Sequence, residues 1–129
     1  MGRRAVIHLD ANYLIHATVA GSPEEQRIRA WLGHGEELAT SVIAWMEFVT
    51  GPVSPAVVAA MTEVIDDRVH PVERKEAELA ARLFNAVGRK RALRYDCLIA
   101  AAAISAGAAL ATNNQSDYAQ FTGQGLRLA

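Results

Sequence analysis

Four carboxylates occupy positions where an α/β fold could bring them together. In chain order they are Asp10 after an apolar run, Glu47 in an apolar helical segment, Asp96 before an alanine-rich segment, and Asp117 after another apolar run. Four carboxylates in one pocket would repel each other and raise each other's pKa values. A hard divalent cation removes that penalty, and oxygen ligands suit Mg²⁺ or Mn²⁺ rather than zinc. A Mg²⁺ or Mn²⁺ site is therefore one interpretation of these four acids.

Each acid also has an ordinary structural interpretation. An aspartate that follows a strand, such as Asp10, often only caps a turn or a helix. Asp96 at a helix start would interact favourably with the helix dipole. Asp117 stands in a polar turn, and a helical glutamate such as Glu47 is usually solvated. Spacing alone therefore leaves both the metal site and these structural roles open.

Alternating strand and helix signals place the acids on a predicted α/β fold. Apolar runs of strand length predict strands at residues 5–9, 38–40, 69–72, 108–112 and 126–128. Helices are predicted at 12–19, after the N-caps Ser22, Ser41 and Ser54, and at 74–87, 97–106 and 118–121. Strands that alternate with helices favour a mainly parallel sheet, with Asp10 and Asp117 beyond strand carboxyl ends.

The composition is that of a globular protein, and a single domain over 1–129 is expected. Hydrophobic residues make up 51% of the 129 residues and charged residues 21%. No apolar run reaches the roughly 18 residues that cross a bilayer, so no membrane association is expected. After the basic residues at 1–4, the apolar stretch that ends at Asp10 is too short for the apolar region of a signal peptide. The lone Cys97 cannot form an internal disulfide. A cytoplasmic location is therefore expected.

The net charge of −1 argues against bulk attraction to nucleic acid but permits a local basic patch.

Four segments resemble the motifs of the PIN-domain nucleases. The first is VIHLDAN at 6–12, similar to apolar residues followed by Asp-x-Asn, and the second is EFVTG at 47–51, similar to Glu-x-x-x-Gly. The third is DCLIAAAA at 96–103, similar to Asp-x-x-Ile-Ala-Ala. The fourth is LATNNQSDY at 110–118, similar to Thr-x-Asn-x-x-Asp-Phe. All four occur in the family's order, and the compact length is most similar to the VapC toxins of toxin–antitoxin pairs.

The resemblance implies a three-layer α/β/α sandwich and a metal-dependent endoribonuclease that hydrolyses RNA phosphodiester bonds. Asp10 and Asp96 would dominate binding of Mg²⁺ or Mn²⁺. Glu47 would bind metal or steer the attacking water, and Asp117 would complete the catalytic set in a more variable role. Further residues that would line the site are Asn12, which would support the Asp10 turn, Thr112 and Asn114. The expected products carry a 5′-phosphate and a 3′-hydroxyl.

Two positions depart from the family's pattern. Tyr118 stands where phenylalanine is usual. Asn113 stands where a basic residue is frequent in such toxins, which leaves less positive charge beside Asp117. Neither change removes a carboxylate, so the predicted acidic site is complete.

A basic segment immediately precedes Asp96. Its cations could hold the RNA backbone, where phosphate contacts give affinity rather than sequence choice; they are Arg89, Lys90, Arg91 and Arg94. A solvated loop between two helices is the structural alternative. Tyr95 is favoured among the aromatic residues that could stack on an unpaired base, the others being Tyr13, Trp45 and Tyr118.

The resemblance also implies a cognate antitoxin and a homodimer. Apolar surface for the antitoxin is expected on the early helices, at Tyr13, Leu14, Ala17, Ile28, Trp31 and Trp45, although these residues also suit a core.

A PIN nuclease with an RNA-processing role is an alternative to a toxin. A phosphoacceptor receiver module also binds Mg²⁺, but it expects a paired acid after strand one and a lysine near the last strands. The only lysines here are Lys75 and Lys90, which argues against that module.

Overall fold

The computed structural model describes residues 5–129 and has a five-stranded sheet at its centre. The basic start at 1–4 lies outside the described residues. The strands are β1 (Val6–Leu9), β2 (Glu37–Ser41), β3 (Val69–His70), β4 (Ala109–Ala111) and β5 (Arg127–Leu128). Their order is β3-β2-β1-β4-β5, and every pairing is parallel. The predicted parallel sheet is confirmed, with β1 as its central strand.

Seven α-helices are found in the described part of the chain. They are α1 (Ala11–Ala17), α2 (Pro23–Gly33), α3 (Val42–Thr50), α4 (Pro55–Val64), α5 (Arg74–Ala86), α6 (Arg94–Ser105) and α7 (Gln115–Ala119). Ser22, Ser41 and Ser54 cap α2, α3 and α4, and each serine oxygen accepts a hydrogen bond from a backbone N–H in the first turn. The predicted caps are therefore confirmed. Over residues 5–129, no helix is both long enough and apolar enough to span a membrane.

The sheet separates two apolar clusters. Successive side chains of a strand point to opposite faces, so Leu110 and Ala111 of β4 contribute to different clusters. Ile7 and Leu9 of β1 pack with α1, α2 and α4 on one face. Leu110 of β4 packs with α5 and α6 on the other face. The helix α3 contributes Ala44 to one cluster and Phe48 to the other, so it lies where the layers meet. This is the three-layer α/β/α arrangement that the resemblance implies.

Two helices near the predicted site differ in their bounds from the sequence prediction. The helix α6 begins at Arg94, before Asp96, because the 3₁₀ turn Arg91–Leu93 leads directly into it. The helix α7 begins within the segment predicted as a polar turn, and the burial of Tyr118 on the core fixes this short helix. As a result, Asp96 and Asp117 each lie in the first turn of a helix.

Candidate active site

Asp10 lies at the carboxyl edge of the sheet, between β1 and α1. It is the N-cap of α1 and is only 4% exposed. Its side chain accepts hydrogen bonds from the backbone N–H of Ala11 and from Thr112 Oγ1, each at 2.8 Å. Thr112 follows β4, which pairs with β1, so two neighbouring parallel strands bring these groups to the same edge. Asp10 is therefore both a helix cap and a buried carboxylate.

One buried hydroxyl links Asp10 to Asp96. Tyr118 Oη donates to Asp96 Oδ1 at 3.2 Å and lies 3.5 Å from Asp10 Oδ1. Burial raises the pKa of Tyr118, and the charges of the two carboxylates raise it further, so the hydroxyl stays protonated and remains a donor. The first turn of α6 is thereby held against the turn that follows β1.

Burial raises the pKa of three acids that the fold brings together, Asp10, Glu47 and Asp96. The charges of Asp10 and Asp96 raise the pKa of Glu47 further, which places this α3 residue within electrostatic reach of both. For Asp96, the hydrogen bond from Tyr118 acts against burial, whereas the charges of Asp10 and Asp117 act with it. The three inner acids therefore form one electrostatic unit, in which ionisation is less favourable than in a free carboxylic acid.

Asp117 lies at the margin of this group. It is exposed on α7, and it acts on Asp96 through its charge. Asn114 is also exposed, but its backbone N–H donates to Thr112 Oγ1 at 3.0 Å. Its link to the site therefore runs through the main chain and Thr112, not through its own amide.

Within residues 5–129, two asparagines near the site, Asn12 and Asn113, donate no hydrogen bond to Asp10, Glu47, Asp96 or Asp117. Asn12 is exposed, and within residues 5–129 its side chain makes no hydrogen bond. The structure therefore does not show the predicted support of the Asp10 turn by Asn12, because Ala11 and other donors bind Asp10 directly. Asn113 instead donates to Glu24 Oε2 on α2, at 3.3 Å.

The donor set fits a hard divalent cation that keeps part of its water shell. In the described part of the chain, no group of three or more His, Cys, Asp or Glu side chains forms a ready-made metal cage. Mg²⁺ is commonly bound through one or two carboxylates and retains several waters. Asp10 and Asp96, held around one hydroxyl with Glu47 nearby, supply that kind of oxygen-rich site. The residues present therefore fit Mg²⁺ or Mn²⁺.

The basic segment leads into α6 and ends at Arg94, the first residue of that helix. Arg89, Lys90, Arg91 and Arg94 are all exposed. Arg89 turns back onto α5, where its guanidinium bonds Asn85 and lies 5.6 Å from the centre of the Phe84 ring. Within residues 5–129, the other three cations form no ion pair. They are therefore the part of the segment available to a phosphate backbone.

The aromatic residues divide by exposure. Tyr95 is 55% exposed beside Asp96, as a stacking residue requires. Tyr13 and Tyr118 are buried, so the stacking hypothesis is wrong for both. Trp45 is half-buried, with its ring centre 5.2 Å from that of Phe48.

Sequence reasoning missed the part that Tyr118 takes in the site. A tyrosine in a buried position needs a partner for its hydroxyl. Its presence where the resembled motif has phenylalanine was the available signal. Only the folded chain shows that the partners are two carboxylates from other elements.

The comparisons with known proteins agree on the fold. FitAcB from Neisseria gonorrhoeae superposes with a TM-score of 0.69 at 17% identity, covering 95% of each chain. VapBC2 from Rickettsia felis, bound to a DNA fragment from its promoter, gives 0.70 at 20% identity over 96% of this chain and 97% of that one. A toxin–antitoxin complex from Klebsiella pneumoniae gives 0.69 at 24% identity, with coverage of 89% and 90%. Among curated proteins, none matches this chain.

A sequence model of one family matches most of the chain. Its description is "PIN domain", and the match covers residues 7–121, which include all four acids. A match of this extent excludes the receiver-module alternative. Because the family match and the parallel α/β sandwich agree, the chain belongs to the PIN domain family, whose members are nucleases.

Proposed function

We propose that this chain is a Mg²⁺- or Mn²⁺-dependent endoribonuclease and the toxin of a type II toxin–antitoxin pair. The observation that carries the proposal is the pair of carboxylates, Asp10 and Asp96, that share the buried Tyr118 hydroxyl. Membership of a nuclease family supplies the reaction class. The proposed catalytic set is Asp10, Glu47, Asp96 and Asp117.

The chemistry divides among the acids by their surroundings. Asp10 and Asp96 hold the cation, which, when bound, polarises the phosphoryl oxygen and lowers the pKa of a water for in-line attack. Glu47 accepts or steers the proton of the attacking water, a role suited to a carboxyl group whose pKa is raised. Asp117, at the exposed margin, acts on the inner site through its charge.

The basic segment supports a nucleic-acid substrate. Lys90 and Arg91 are exposed just before α6, which carries Asp96, and Arg94 is exposed as the first residue of that helix. Contacts from these cations to phosphates would position the chain beside the cation site without choosing its sequence. Tyr95, exposed in the same turn, is placed to stack on an unpaired base.

An antitoxin partner is proposed because two of the similar structures are described as VapBC or toxin–antitoxin complexes. Several apolar residues expected to face such a partner contribute to the core instead; they are Tyr13, Leu14, Ala17 and Ile28. A groove of about 360 Å³ remains between α1, α2 and α4 and offers Leu32, Val57 and Val64 to an apolar segment of the partner.

The proposed homodimer has a candidate surface on α3. Val42, Met46 and Val49 are exposed and lie on one side of this helix, at intervals of four and three residues. A symmetric dimer through this stripe would bury them.

The direct test is cleavage of RNA by purified protein. Asp10→Asn should abolish cleavage, because it replaces a proposed metal ligand by a neutral amide of the same size. Cleavage by the unaltered protein should stop with EDTA and return with Mg²⁺ or Mn²⁺. Glu63→Gln, which removes an exposed acid on α4, is the matched control and should cleave normally. Full activity of Asp10→Asn, or activity that resists EDTA, would contradict the proposal.

The toxin role is tested separately in cells. Expression of the unaltered chain should arrest growth, and co-expression of a cognate antitoxin should restore it. RNA cleavage in vitro without growth arrest would favour an RNA-processing role instead.

A further inference from the structure

The hydroxyl of Tyr118 occupies a special position among the groups around the site. The side chain is fully buried, and its ring centre lies 6.0 Å from that of Phe121. Its oxygen is within 3.2 Å of Asp96 Oδ1 and 3.5 Å of Asp10 Oδ1. A phenylalanine would fill the same space with the same ring, so packing alone does not require the hydroxyl.

We propose that Tyr118 is a positioning residue, whose hydroxyl orients the carboxylates of Asp10 and Asp96 for a divalent cation without touching the cation. This inference rests on the proposed metal-dependent function. Hydrogen bonds from surrounding groups fix the orientation of metal-ligating carboxylates, and loss of such a bond commonly costs 10–100-fold in metal affinity.

The hydrogen bonds leave the carboxylates free to bind a cation. Each carboxylate oxygen can accept more than one bond. Asp96 uses Oδ1 for Tyr118, and within residues 5–129 its Oδ2 has no hydrogen-bond donor. Asp10 Oδ2 accepts from Thr112, whereas Asp10 Oδ1 accepts from the Ala11 N–H and lies 3.5 Å from Tyr118 Oη. The two carboxylates are therefore fixed while keeping lone pairs for a ligand.

A neutral donor suits this position better than a cation would. A lysine or arginine between the two carboxylates would cancel their charge and compete with Mg²⁺. The tyrosine hydroxyl holds Asp10 and Asp96 together but leaves both negative charges in place. The two carboxylates are therefore ordered before the cation binds, which lowers the cost of arranging the ligands.

The test compares Tyr118→Phe with Tyr13→Phe. The Tyr13 hydroxyl is also buried and, within residues 5–129, has no hydrogen-bond partner, so its removal is a matched control. Mn²⁺ binding is measured by calorimetry on the full chain, after circular dichroism has shown that each variant is folded. Tyr118→Phe should raise the dissociation constant for Mn²⁺ about 10–100-fold, and Tyr13→Phe should leave it unchanged.

A second measurement separates positioning from general loosening of the fold. The Mn²⁺ concentration for half-maximal RNA cleavage should rise for Tyr118→Phe, whereas the rate at saturating Mn²⁺ should stay within a few-fold of the unaltered protein. Mn²⁺ affinity within twofold of the unaltered protein would overturn the inference. Equal losses of affinity in both tyrosine variants would also overturn it. If the unaltered chain binds no Mn²⁺, the proposed metal dependence fails together with this inference.

Discussion

Asp96→Asn should stabilise the metal-free protein while it removes a proposed metal ligand. Burial and the charge of Asp10 raise the pKa of Asp96, so its ionised form is less favourable in the folded protein than in the unfolded chain. Asparagine is neutral but still offers Oδ1 to the Tyr118 hydroxyl. The substitution therefore removes the repulsion and keeps the hydrogen bond.

The distances to Tyr118 set the size of the effect. Asp96 Oδ1 and Asp10 Oδ1 can be no more than 6.7 Å apart (3.2 Å plus 3.5 Å). Two unit charges at that distance repel by about 2.5 kcal/mol at an effective dielectric constant of about 20. Asp96 is partly exposed, so solvent screening reduces the expected gain to about 1–2 kcal/mol. For a chain of this length, that gain corresponds to a rise in Tm of roughly 3–8 °C.

The assay is thermal and urea unfolding in EDTA at neutral pH. Glu63→Gln is the control for net charge, because it removes an exposed carboxylate on α4. Addition of Mg²⁺ should then raise the Tm of the unaltered protein, because the proposed site would bind the cation only in the folded state, and should do little for Asp96→Asn. A variant less stable than the unaltered protein in EDTA would refute the reasoning, because the Asp96 charge would then be stabilising.

Two further predictions concern groups outside the carboxylate pair. Burial, with the neighbouring His70, lowers the pKa of His8 from 6.5 to about 4, so between these values the unfolded chain is protonated at His8 and the folded protein is not. The free energy of unfolding should therefore fall as the pH drops. Urea unfolding at pH 8 and pH 5 should show that this fall is about 2 kcal/mol smaller for His8→Leu than for the unaltered protein. Replacing Lys90, Arg91 and Arg94 by glutamine should make the slope of log Kobs for RNA binding against log salt concentration shallower by about 2. Each phosphate contact on a single strand contributes about 0.7 to that slope. Arg89→Gln should change this slope less, since Arg89 is held on α5; an unchanged slope in the triple variant would remove the segment from the RNA site.

Features of the fold that depend on neighbouring residues could be predicted from the sequence. The change from an apolar run to helical periodicity at Asp10 marks the end of β1, and the structure has α1 beginning at the next residue. Ser22, Ser41 and Ser54 are followed by helices that they cap, because a cap is a contact within one turn. The parallel sheet follows from the alternation of these elements.

Features that depend on distance in space could not be predicted in the same way. The contact of Tyr118 with Asp10 joins residues 108 positions apart, and no period or propensity reports such a distance. The pairing of His8 with His70 likewise depends on strand order, because β3 lies two strands from β1 in the sheet. Resemblance to the PIN-domain motifs identified the four acids. It gave no role to the Tyr118 hydroxyl, because the family's motif usually has phenylalanine at that position.

The burial that makes the candidate site suitable for chemistry also connects it to the stability of the fold. Asp10, Glu47 and Asp96 come from the β1–α1 turn, α3 and α6, so their repulsion acts between elements that must pack together. A cation that binds two of these acids removes the repulsion and joins the elements at once. Proton uptake removes the same repulsion but leaves no charge to bind the cation. Metal affinity, acid stability and folding stability are therefore coupled properties of one group of carboxylates, and a substitution that improves one of them should be expected to change the others.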